Sequence, residues 1–243
     1  MDEKNAEQQL YSKYLTTAAQ VSTQVEQSLL ESERYLKYHY AKYLPKDKTK
    51  NILEIGCGHG RFIRALNNWG YNNVIGIDFS EEQVVFANNT LNIKNVIQAD
   101  AIQWLDIVSK KFDCILMVDV LEHLTNSQIL DIGEKIFDVL SDDGCFITQI
   151  PSGTSPMNPI IYGDLTHRRA FTPRSMQQLF LNLGFATYSF SAIKPGFYKP
   201  LNIFRRIILA TVMPFIWALG IIMHGGAAKD SIYTSNFIAV AYK

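Results

Sequence analysis

Short apolar runs alternate with helical patterns through most of the chain after residue 50. Runs of strand length predict seven β-strands, at 51–55, 73–78, 96–98, 112–118, 145–150, 185–193 and 236–242. Amphipathic helices are predicted between them, at 61–69, 80–90, 101–109, 126–140 and from Pro173 to a stop at Gly184. Strands that alternate with helices are typical of a mostly parallel sheet with helices on both faces, so the pattern predicts an α/β fold.

Two segments depart from this alternation. Residues 1–46 are polar with helical spacing and carry half of the twelve tyrosines, which predicts a helical cap ahead of a domain at 47–243. These tyrosines either pack on the cap helices or, at Tyr38 or Tyr40, fold over a binding site. The second segment, residues 194–234, is apolar and basic and predicts a helical insertion between strands six and seven.

The composition bounds the class of protein. A chain of 243 residues with 47% hydrophobic residues can bury the core of one α/β domain with additions. Cys57, Cys114 and Cys145 are isolated, which argues against a disulfide framework or a zinc site. The polar, acidic start of the chain shows no apolar signal segment. We therefore expect a reduced, cytoplasmic setting.

The first predicted strand ends in a glycine-rich turn. Gly56, Gly58 and Gly60 alternate after it, and Glu54 lies two residues before the first glycine. Glycines allow positive φ and let a ligand approach backbone N–H groups, and the helix that follows presents further donors. A dinucleotide fingerprint would need its third glycine at Arg61, so a pyrophosphate site is disfavoured. A plain tight turn is the alternative to a binding loop.

Acidic side chains also follow the next three strands. Asp78 ends the second strand, 22 positions after Gly56, which is near the spacing at which a carboxylate reaches a ribose diol. Asp100 and Asp119 follow the third and fourth strands. Taken singly, each acid could cap a helix or lie in an ordinary turn. Because the carboxyl ends of parallel strands share one edge, the series predicts a single crevice there.

These residues resemble two motifs of class I S-adenosylmethionine (SAM) dependent methyltransferases. The glycine turn is similar to the first motif, and the run from Asp119 to His123 is similar to the fourth. The resemblance implies a Rossmann-like, seven-stranded fold whose last strand runs antiparallel between strands five and six, with SAM as the cofactor. It also implies a set of SAM-binding residues: Glu54, Gly56, Cys57, Gly58, Gly60, Asp78, Phe79, Asp100, Ala101 and Asp119.

A segment after the fifth strand carries candidate acceptor-binding residues. Asp164 and His167 precede the run 171–173. This stretch of sequence resembles bacterial methyltransferases associated with surface polysaccharides such as O-antigen or capsule. The resemblance implies O-methylation of a sugar hydroxyl in a surface glycan precursor, either lipid-linked or nucleotide-activated. Arginine can bind a phosphate or carboxylate of such an acceptor, although it is also common on plain surfaces. The candidate substrate-binding residues are Tyr162, Arg168 and Arg169.

A sugar hydroxyl is a poor nucleophile, so its methylation calls for a base that is neutral near pH 7. His167, supported by Asp164, is the first candidate, and His123 is the second. His59 lies within the glycine turn and is expected to pack near SAM. Asp164 and His167 could bind a divalent ion together with a fourth-motif acid. No compact ligand spacing demands one, so no metal is assigned.

The insertion has the composition of a membrane segment. Residues 207–223 carry no charge, but a single crossing would leave the seventh strand on the far side of the bilayer. Pro214 and Gly220 predict a broken helix, and a helical hairpin within one leaflet fits both constraints. Residues 165–229 carry eight basic and no acidic side chains, so the rest of this neutral chain sums to −8. Peripheral contact of residues 200–225 with an anionic membrane is expected, with an apolar lid or a homodimer contact as alternatives.

Three classes of function fit these features. The first is the glycan O-methyltransferase, in the cytoplasm and peripheral at the inner face of the cytoplasmic membrane. The second is a methyltransferase of a small lipophilic molecule such as a quinone precursor. The third is a non-catalytic SAM-binding partner of a membrane complex, which the candidate bases disfavour. Nucleic acid is not expected as a partner, because no basic strip with interleaved aromatic residues is present.

Overall fold

The computed structural model describes residues 25–197 and 200–243. Its strands are β1 (Ile52–Ile55), β2 (Val74–Asp78), β3 (Val96–Gln98), β4 (Phe112–Val118), β5 (Leu140–Pro151), β6 (Thr187–Ala192) and β7 (Asn236–Tyr242). They form one sheet in the order β3-β2-β1-β4-β5-β7-β6. Neighbours from β3 to β5 are parallel, and β7 runs antiparallel to β5 and β6. The predicted Rossmann-like class I methyltransferase fold is confirmed.

Helices connect the strands and cover the sheet. The described part of the predicted cap is α1 (Val25–Tyr40), and residues 1–24 lie outside the described residues. The other helices are α2 (Arg61–Asn68), α3 (Glu81–Val85), α4 (Ala101–Ile107), α5 (Asn126–Val139), α6 (Pro159–Tyr162), α7 (Pro173–Asn182) and α8 (Pro200–His224). Three short turns complete the set: a π-turn at Phe86–Thr90 and 3₁₀ turns at Leu121–His123 and Gly225–Ala228.

The sheet is buried on both faces. One apolar cluster lies under α5 and α7, and the other lies under α1 and α2. Ile52 and Leu53 point into opposite clusters, as do Phe146 and Ile147. Because both faces of these strands are covered, the strands are apolar along almost their whole length, which is the pattern that the sequence shows.

Two predicted elements differ from the structure in detail. Ser80 caps α3, but the helix predicted at 80–90 changes to a π-turn at Phe86. Residues 141–144 separate the helix and the strand predicted at 126–140 and 145–150, yet in the structure they lie inside β5, which already begins at Leu140. Phe112 pairs with Leu140 and Cys114 pairs with Cys145, so residues 141–144 form an irregularity in the ladder.

The predicted helical break in the insertion is wrong. α8 is one continuous helix of 25 residues that runs through Pro214, and no helical hairpin forms within the described insertion. A proline removes one backbone hydrogen bond and can kink a helix, yet it does not force the chain to reverse. The 17-residue uncharged run is lengthened at its start by residues 200–206. By length and composition, α8 could cross a membrane, and its most apolar window is 0% buried.

The insertion leaves and rejoins the domain at the carboxyl edge of the sheet. The last residue of β6 pairs with Phe237, and the last residue of β5 pairs with Asn236, so β7 starts at that edge. Arg206 of α8 donates to the Tyr38 hydroxyl at 2.7 Å, which ties the helix to α1. Farther along, Trp217 Nε1 donates to the Lys229 carbonyl at 3.4 Å. The start of α8 is therefore tied to α1, whereas its second half contacts the chain that follows it within the insertion.

Gly76 on β2 lies where another side chain leaves no room. A Cβ at this position would lie 2.7 Å from Cys57 Sγ and 2.9 Å from Cys57 Cβ. We expect Gly76→Ala to lower the free energy of unfolding by roughly 1–3 kcal/mol, because the added methyl group overpacks the core. Urea denaturation followed by circular dichroism measures the change.

Gly226→Ala is the matched control for this prediction. No atom lies within 4 Å of a Cβ built at Gly226, so the free energy of unfolding should change by less than about 0.5 kcal/mol. Equal losses in the two variants would contradict the packing explanation.

Candidate active site

A cavity of about 880 Å³ opens at the carboxyl ends of β1, β2 and β4. All but one of the predicted cofactor residues line it: Glu54, Gly56, Cys57, Gly58, Asp78, Phe79, Asp100, Ala101 and Asp119. Gly60 is the exception, with φ of +76° and a Cβ position only 3.0 Å from Val96. It lets α2 begin close to β3 and lies outside the cavity wall. The strand-end acids and the glycine turn share one crevice.

The glycine turn depends on backbone conformations that favour glycine. The φ angle is +69° at Gly56 and +55° at Gly58. A Cβ on Gly56 would lie 2.4 Å from Val120 Cγ2, so glycine is what lets the turn meet the loop after β4. The Cys57 thiol packs against Gly76, and burial raises its pKa well above the usual value. The thiol is therefore an unreactive packing group.

Asp78 is oriented by backbone N–H groups. Its Oδ2 accepts a hydrogen bond from the Gly58 N–H at 2.7 Å, and its Oδ1 accepts one from the Ser80 N–H at 2.9 Å. Burial raises the pKa of this carboxyl, and the two hydrogen bonds act in the opposite direction. Each carboxylate oxygen keeps another lone pair, so Asp78 can still accept from ligand hydroxyls. The neighbouring Phe79 is 52% exposed at the cavity wall.

Glu54 is a buried acid at the end of β1. It is 3% exposed, and its Oε2 has no hydrogen-bond partner among the described residues. Burial raises its pKa to about 8, and the nearby Arg61 guanidinium partly opposes that shift. A buried carboxylate without a partner is unfavourable, so the wall fits a ligand with a positive group. SAM, which carries an ammonium and a sulfonium group, meets this requirement.

Asp119 belongs to a polar network that connects the cavity to the cap. Both of its carboxylate oxygens accept from Gln149 Nε2 at 2.9 Å, and Oδ1 also accepts from Asn236 Nδ2 at 3.0 Å. Gln149 Oε1 in turn accepts from the Tyr35 hydroxyl at 2.5 Å and the Tyr40 hydroxyl at 2.8 Å. The cap tyrosines thus hold Gln149, which in turn holds Asp119. Neither Tyr40 nor Tyr38 lines the cavity.

Gln149 and Asn236 were not among the candidate site residues. The available signal was a polar side chain in the apolar run of β5 and another at the first position of β7. Such positions carry no motif, and their contact with Asp119 joins residues 30 and 117 positions apart.

The predicted bases form a second network beside the cavity. Thr166 Oγ1 donates to Asp164 Oδ1 at 2.6 Å and lies 2.9 Å from His123 Nδ1. The ring centroids of His123 and His167 are 4.7 Å apart, edge to face. Of the two rings, His123 lines the cavity, whereas neither His167 nor Asp164 does. Burial, reinforced by the proximity of His167, lowers the pKa of His123 to about 4, so this ring is neutral near pH 7.

Glu122 is a buried acid that lies against these histidines. Its residue is 0% exposed, and neither side-chain oxygen has a hydrogen-bond partner among the described residues. His167 Nε2 lies 4.0 Å from Glu122 Oε1. Burial raises the pKa of Glu122 well above its usual value, and the neighbouring Asp119 adds to the shift. In the sequence, Glu122 could be recognised only as a member of the run that resembles the fourth motif.

The three candidate substrate-binding residues do not converge. Arg168 lines the cavity, and its backbone N–H donates to the Glu122 carbonyl at 2.8 Å. The Arg169 guanidinium instead bonds to Asn126 at the start of α5. Tyr162 on α6 is 85% exposed and does not line the cavity. Only Arg168 is therefore in position to meet a molecule in the cavity.

Comparison with known proteins identifies the family of this chain. The family described as a methyltransferase domain matches residues 30–189, which is more than half of the chain. A SAM dependent methyltransferase from Archaeoglobus fulgidus has the same fold, with a TM-score of 0.63 and 19% identity over 90% of this chain and 94% of that protein.

Two curated relatives share part of the domain. A ubiquinone biosynthesis O-methyltransferase of Coxiella burnetii is 35% identical over 86 residues, which are 33% of this chain and 36% of that protein. The sphingolipid C9-methyltransferase B of Emericella nidulans is 27% identical over 106 residues, 42% of this chain and 21% of that protein. The match thus spans between a fifth and about a third of the length of these curated relatives.

The family match, the fold and a cavity suited to a cationic donor agree with one another. This chain belongs to the methyltransferase domain family.

Proposed function

We propose that this methyltransferase transfers a methyl group to a sugar hydroxyl of a bacterial surface glycan precursor, either lipid-linked or nucleotide-activated. The observation that carries the proposal is a polar wall of the cavity, to which the loop after β4, the start of α5 and the loop before α7 contribute. This wall consists of His123, Thr125, Ser127, Gln128 and Arg168. A sugar presents several hydroxyls that such a wall can bind, and Arg168 can bind a phosphate attached to it.

The other wall of the cavity is assigned to the donor. SAM, when bound, supplies a methyl group on a positively charged sulfur. We assign the ammonium group to Glu54, the ribose hydroxyls to Asp78 and an adenine face to Phe79. Asp100 and Ala101 would meet the adenine amino group, and the backbone N–H groups of the glycine turn would meet the polar end of the donor. Asp119, held by Gln149, would fix the loop that faces this end.

We assign the acceptor hydroxyl to His123 rather than to His167, because His123 lines the cavity. Thr166 Oγ1 donates to Asp164 Oδ1 and lies 2.9 Å from His123 Nδ1, so the hydroxyl connects the carboxylate to the ring and fixes the ring's position. Asp164 acts through Thr166 as a positioning residue, and His167 supports the ring edge-on.

The transfer is an in-line displacement in which positioning supplies much of the acceleration. A lone pair of the acceptor oxygen forms the new O–C bond, and the electrons of the C–S bond return to sulfur. The hydroxyl proton leaves toward the group that activates the oxygen. The chain's part is to hold the two reactants in line, exclude water and accept that proton.

We further propose that α8 rests on an anionic membrane, so that the cavity meets a lipid-linked acceptor. Eleven large apolar side chains of α8 are exposed, and seven of them recur at helical spacing: Leu201, Phe204, Ile208, Val212, Phe215, Leu219 and Ile222. Eight basic and no acidic residues in 165–229 match an anionic surface. Arg206 ties the start of α8 to the domain, and Trp217 ties its second half to the returning chain.

A second candidate function is methylation of a small lipophilic molecule such as a quinone precursor. The similarity to a ubiquinone biosynthesis O-methyltransferase and the apolar surface of α8 favour it. The polar wall around His123 and Arg168 favours the sugar. A non-catalytic SAM-binding role is disfavoured, because His123 lines the cavity as a candidate base.

Asp78→Asn tests the donor wall. The substitution removes a charge that would accept two ribose hydroxyls, so we expect SAM affinity to fall at least tenfold, about 1.4 kcal/mol or more. Isothermal titration calorimetry measures it. Asp106→Asn is the control, since Asp106 is exposed on α4, pairs with Lys135 and does not line the cavity. Equal SAM affinity in all three proteins would refute this assignment.

An acceptor screen tests the proposed reaction. We expect mass spectrometry to show a gain of one methyl group on a polyprenyl-linked glycan or a nucleotide sugar, and none on a quinone precursor. With the methylated acceptor, His123→Ala should lower turnover about 100-fold or more and keep SAM affinity within about twofold.

His224→Ala is the control for that variant, since His224 ends α8 and does not line the cavity. Unchanged turnover in His123→Ala would move the role to His167. Methylation of the quinone precursor alone would replace the first function by the second.

Vesicle binding tests the proposed role of α8. We expect the protein to sediment with phosphatidylglycerol vesicles at least about tenfold more strongly than with phosphatidylcholine vesicles. Phe215→Asp with Ile222→Asp should remove this binding, because it places charges on side chains that are 77% and 81% exposed. Ile107→Asp, at an apolar side chain on α4 that is also 81% exposed, should leave it unchanged.

The alternative occupant of this surface is a second copy of the chain. The membrane proposal would be overturned if the protein bound neither type of vesicle and formed a dimer in solution that became a monomer in the Phe215→Asp, Ile222→Asp variant.

A further inference from the structure

Glu122, His123 and His167 bring three potential metal ligands together beside the cavity. One side-chain atom from each residue lies within 4.8 Å of the others. Glu122 and His123 adjoin one another after β4, whereas His167 comes from the loop that precedes α7. Folding therefore assembles a carboxylate and two imidazoles from segments more than 40 positions apart.

Both rings have a polar partner on Nδ1. His167 Nδ1 lies 3.0 Å from the Ile160 carbonyl, which can only accept, so this nitrogen carries the hydrogen and Nε2 the lone pair. His123 Nδ1 lies 2.9 Å from the Thr166 hydroxyl. A partner on Nδ1 that fixes the tautomer and orients the ring is the usual second shell of a metal-bound histidine.

The lone pair of His167 Nε2 and the oxygen of Glu122 face each other without a donor between them. The two atoms are 4.0 Å apart, and the Glu122 side chain is 1% exposed. Both of its oxygens lack hydrogen-bond partners among the described residues. Two acceptors that meet in a buried place repel each other unless a proton or a metal ion lies between them.

We propose that Glu122, His123 and His167 bind one divalent first-row metal ion, such as Mn²⁺ or Zn²⁺. Two imidazoles and one carboxylate suit such ions and leave coordination positions open. Two atoms bound to one ion at about 2.1 Å are at most roughly 4.2 Å apart. The pair of Glu122 and His167 already meets that limit, and the longest separation needs only a small side-chain movement.

The ion would give the cluster a defined role in the proposed reaction, and only this role depends on the proposed function. Because His123 lines the cavity, an acceptor oxygen there would be able to take an open position on the ion. With the ion bound, His123 would be a ligand and would not take the acceptor proton as it does in the ion-free reaction. Coordination would lower the pKa of the hydroxyl, so its proton passes to water while its oxygen attacks the methyl carbon and the C–S electron pair returns to sulfur. The ion would restrict the acceptors to molecules with a hydroxyl that can bind it, and sugars carry such hydroxyls.

Titration of the chelator-treated, full-length protein with Co²⁺, Mn²⁺ and Zn²⁺ tests the site. We expect calorimetry to show one ion per chain without acceptor, and Co²⁺ to give visible absorption bands of a nitrogen- and oxygen-ligated ion. Glu122→Gln should lower affinity at least about 100-fold and remain folded, because it removes an unpaired buried carboxylate.

Two variants separate the ion from the donor. Asp78→Asn should bind the ion normally and lose SAM, whereas Glu122→Gln should bind SAM normally and lose the ion. No binding of any of the three ions, or binding that survives Glu122→Gln, overturns the inference and leaves a shared proton between Glu122 and His167.

Turnover in the presence of a chelator shows whether the metal site or the proposed glycan methylation is wrong. Full methylation of a glycan acceptor in the chelator, with no ion bound, would retain the proposed function and reject the ion. Stoichiometric ion binding with no glycan methylated in the screen would retain the site and reject the proposed acceptor.

Discussion

Acids buried at the carboxyl edge of the sheet govern this site. Glu54, Asp78, Asp119 and Glu122 follow three strands that end at one crevice, where taking a charge out of water is costly unless something compensates it. Backbone N–H groups compensate Asp78, and the amides of Gln149 and Asn236 compensate Asp119. Among the described residues, Glu54 Oε2 and both Glu122 oxygens have no hydrogen-bond partner.

The two acids with unpaired oxygens lie at different places. Glu54 lines the cavity beside the glycine turn, where we assign it to the positive groups of the methyl donor. Glu122 lies against two histidines that have polar partners on Nδ1, which fits the proposed metal ion. On this view the protein prepares two places for positive charge, one on either side of the methyl group that moves. Asp119 and its amide partners stand between them and link both to the cap.

The insertion follows from the topology of the sheet. β7 lies between β5 and β6 and starts at the carboxyl edge, so any chain between β6 and β7 must leave and return beside the cavity. A long apolar helix therefore begins at the same edge of the sheet as the cavity. Arg206 ties this helix to α1, and Trp217 ties it to the returning chain.

The sequence by itself determined the sheet, the glycine turn and the acids at the strand ends. These features are local, because strand and helix periods and a tight turn are read within a dozen residues. It also gave the loop that carries Asp164 and His167, but ranked His167 above His123 because neither spacing nor composition shows which ring reaches the cavity. The predicted break at Pro214 failed because a proline weakens a helix locally and cannot decide whether the chain reverses.

Only the tertiary structure decided how distant residues meet. The contacts of Asp119 with Gln149 and Asn236, of Gln149 with Tyr40, and of Glu122 with His167 join positions from 30 to 117 apart. No local pattern encodes such pairs, since they arise from strand order and from the packing of loops at one edge. The residues of the proposed donor site can therefore be identified from the sequence. Those of the proposed acceptor side come together only in the folded chain.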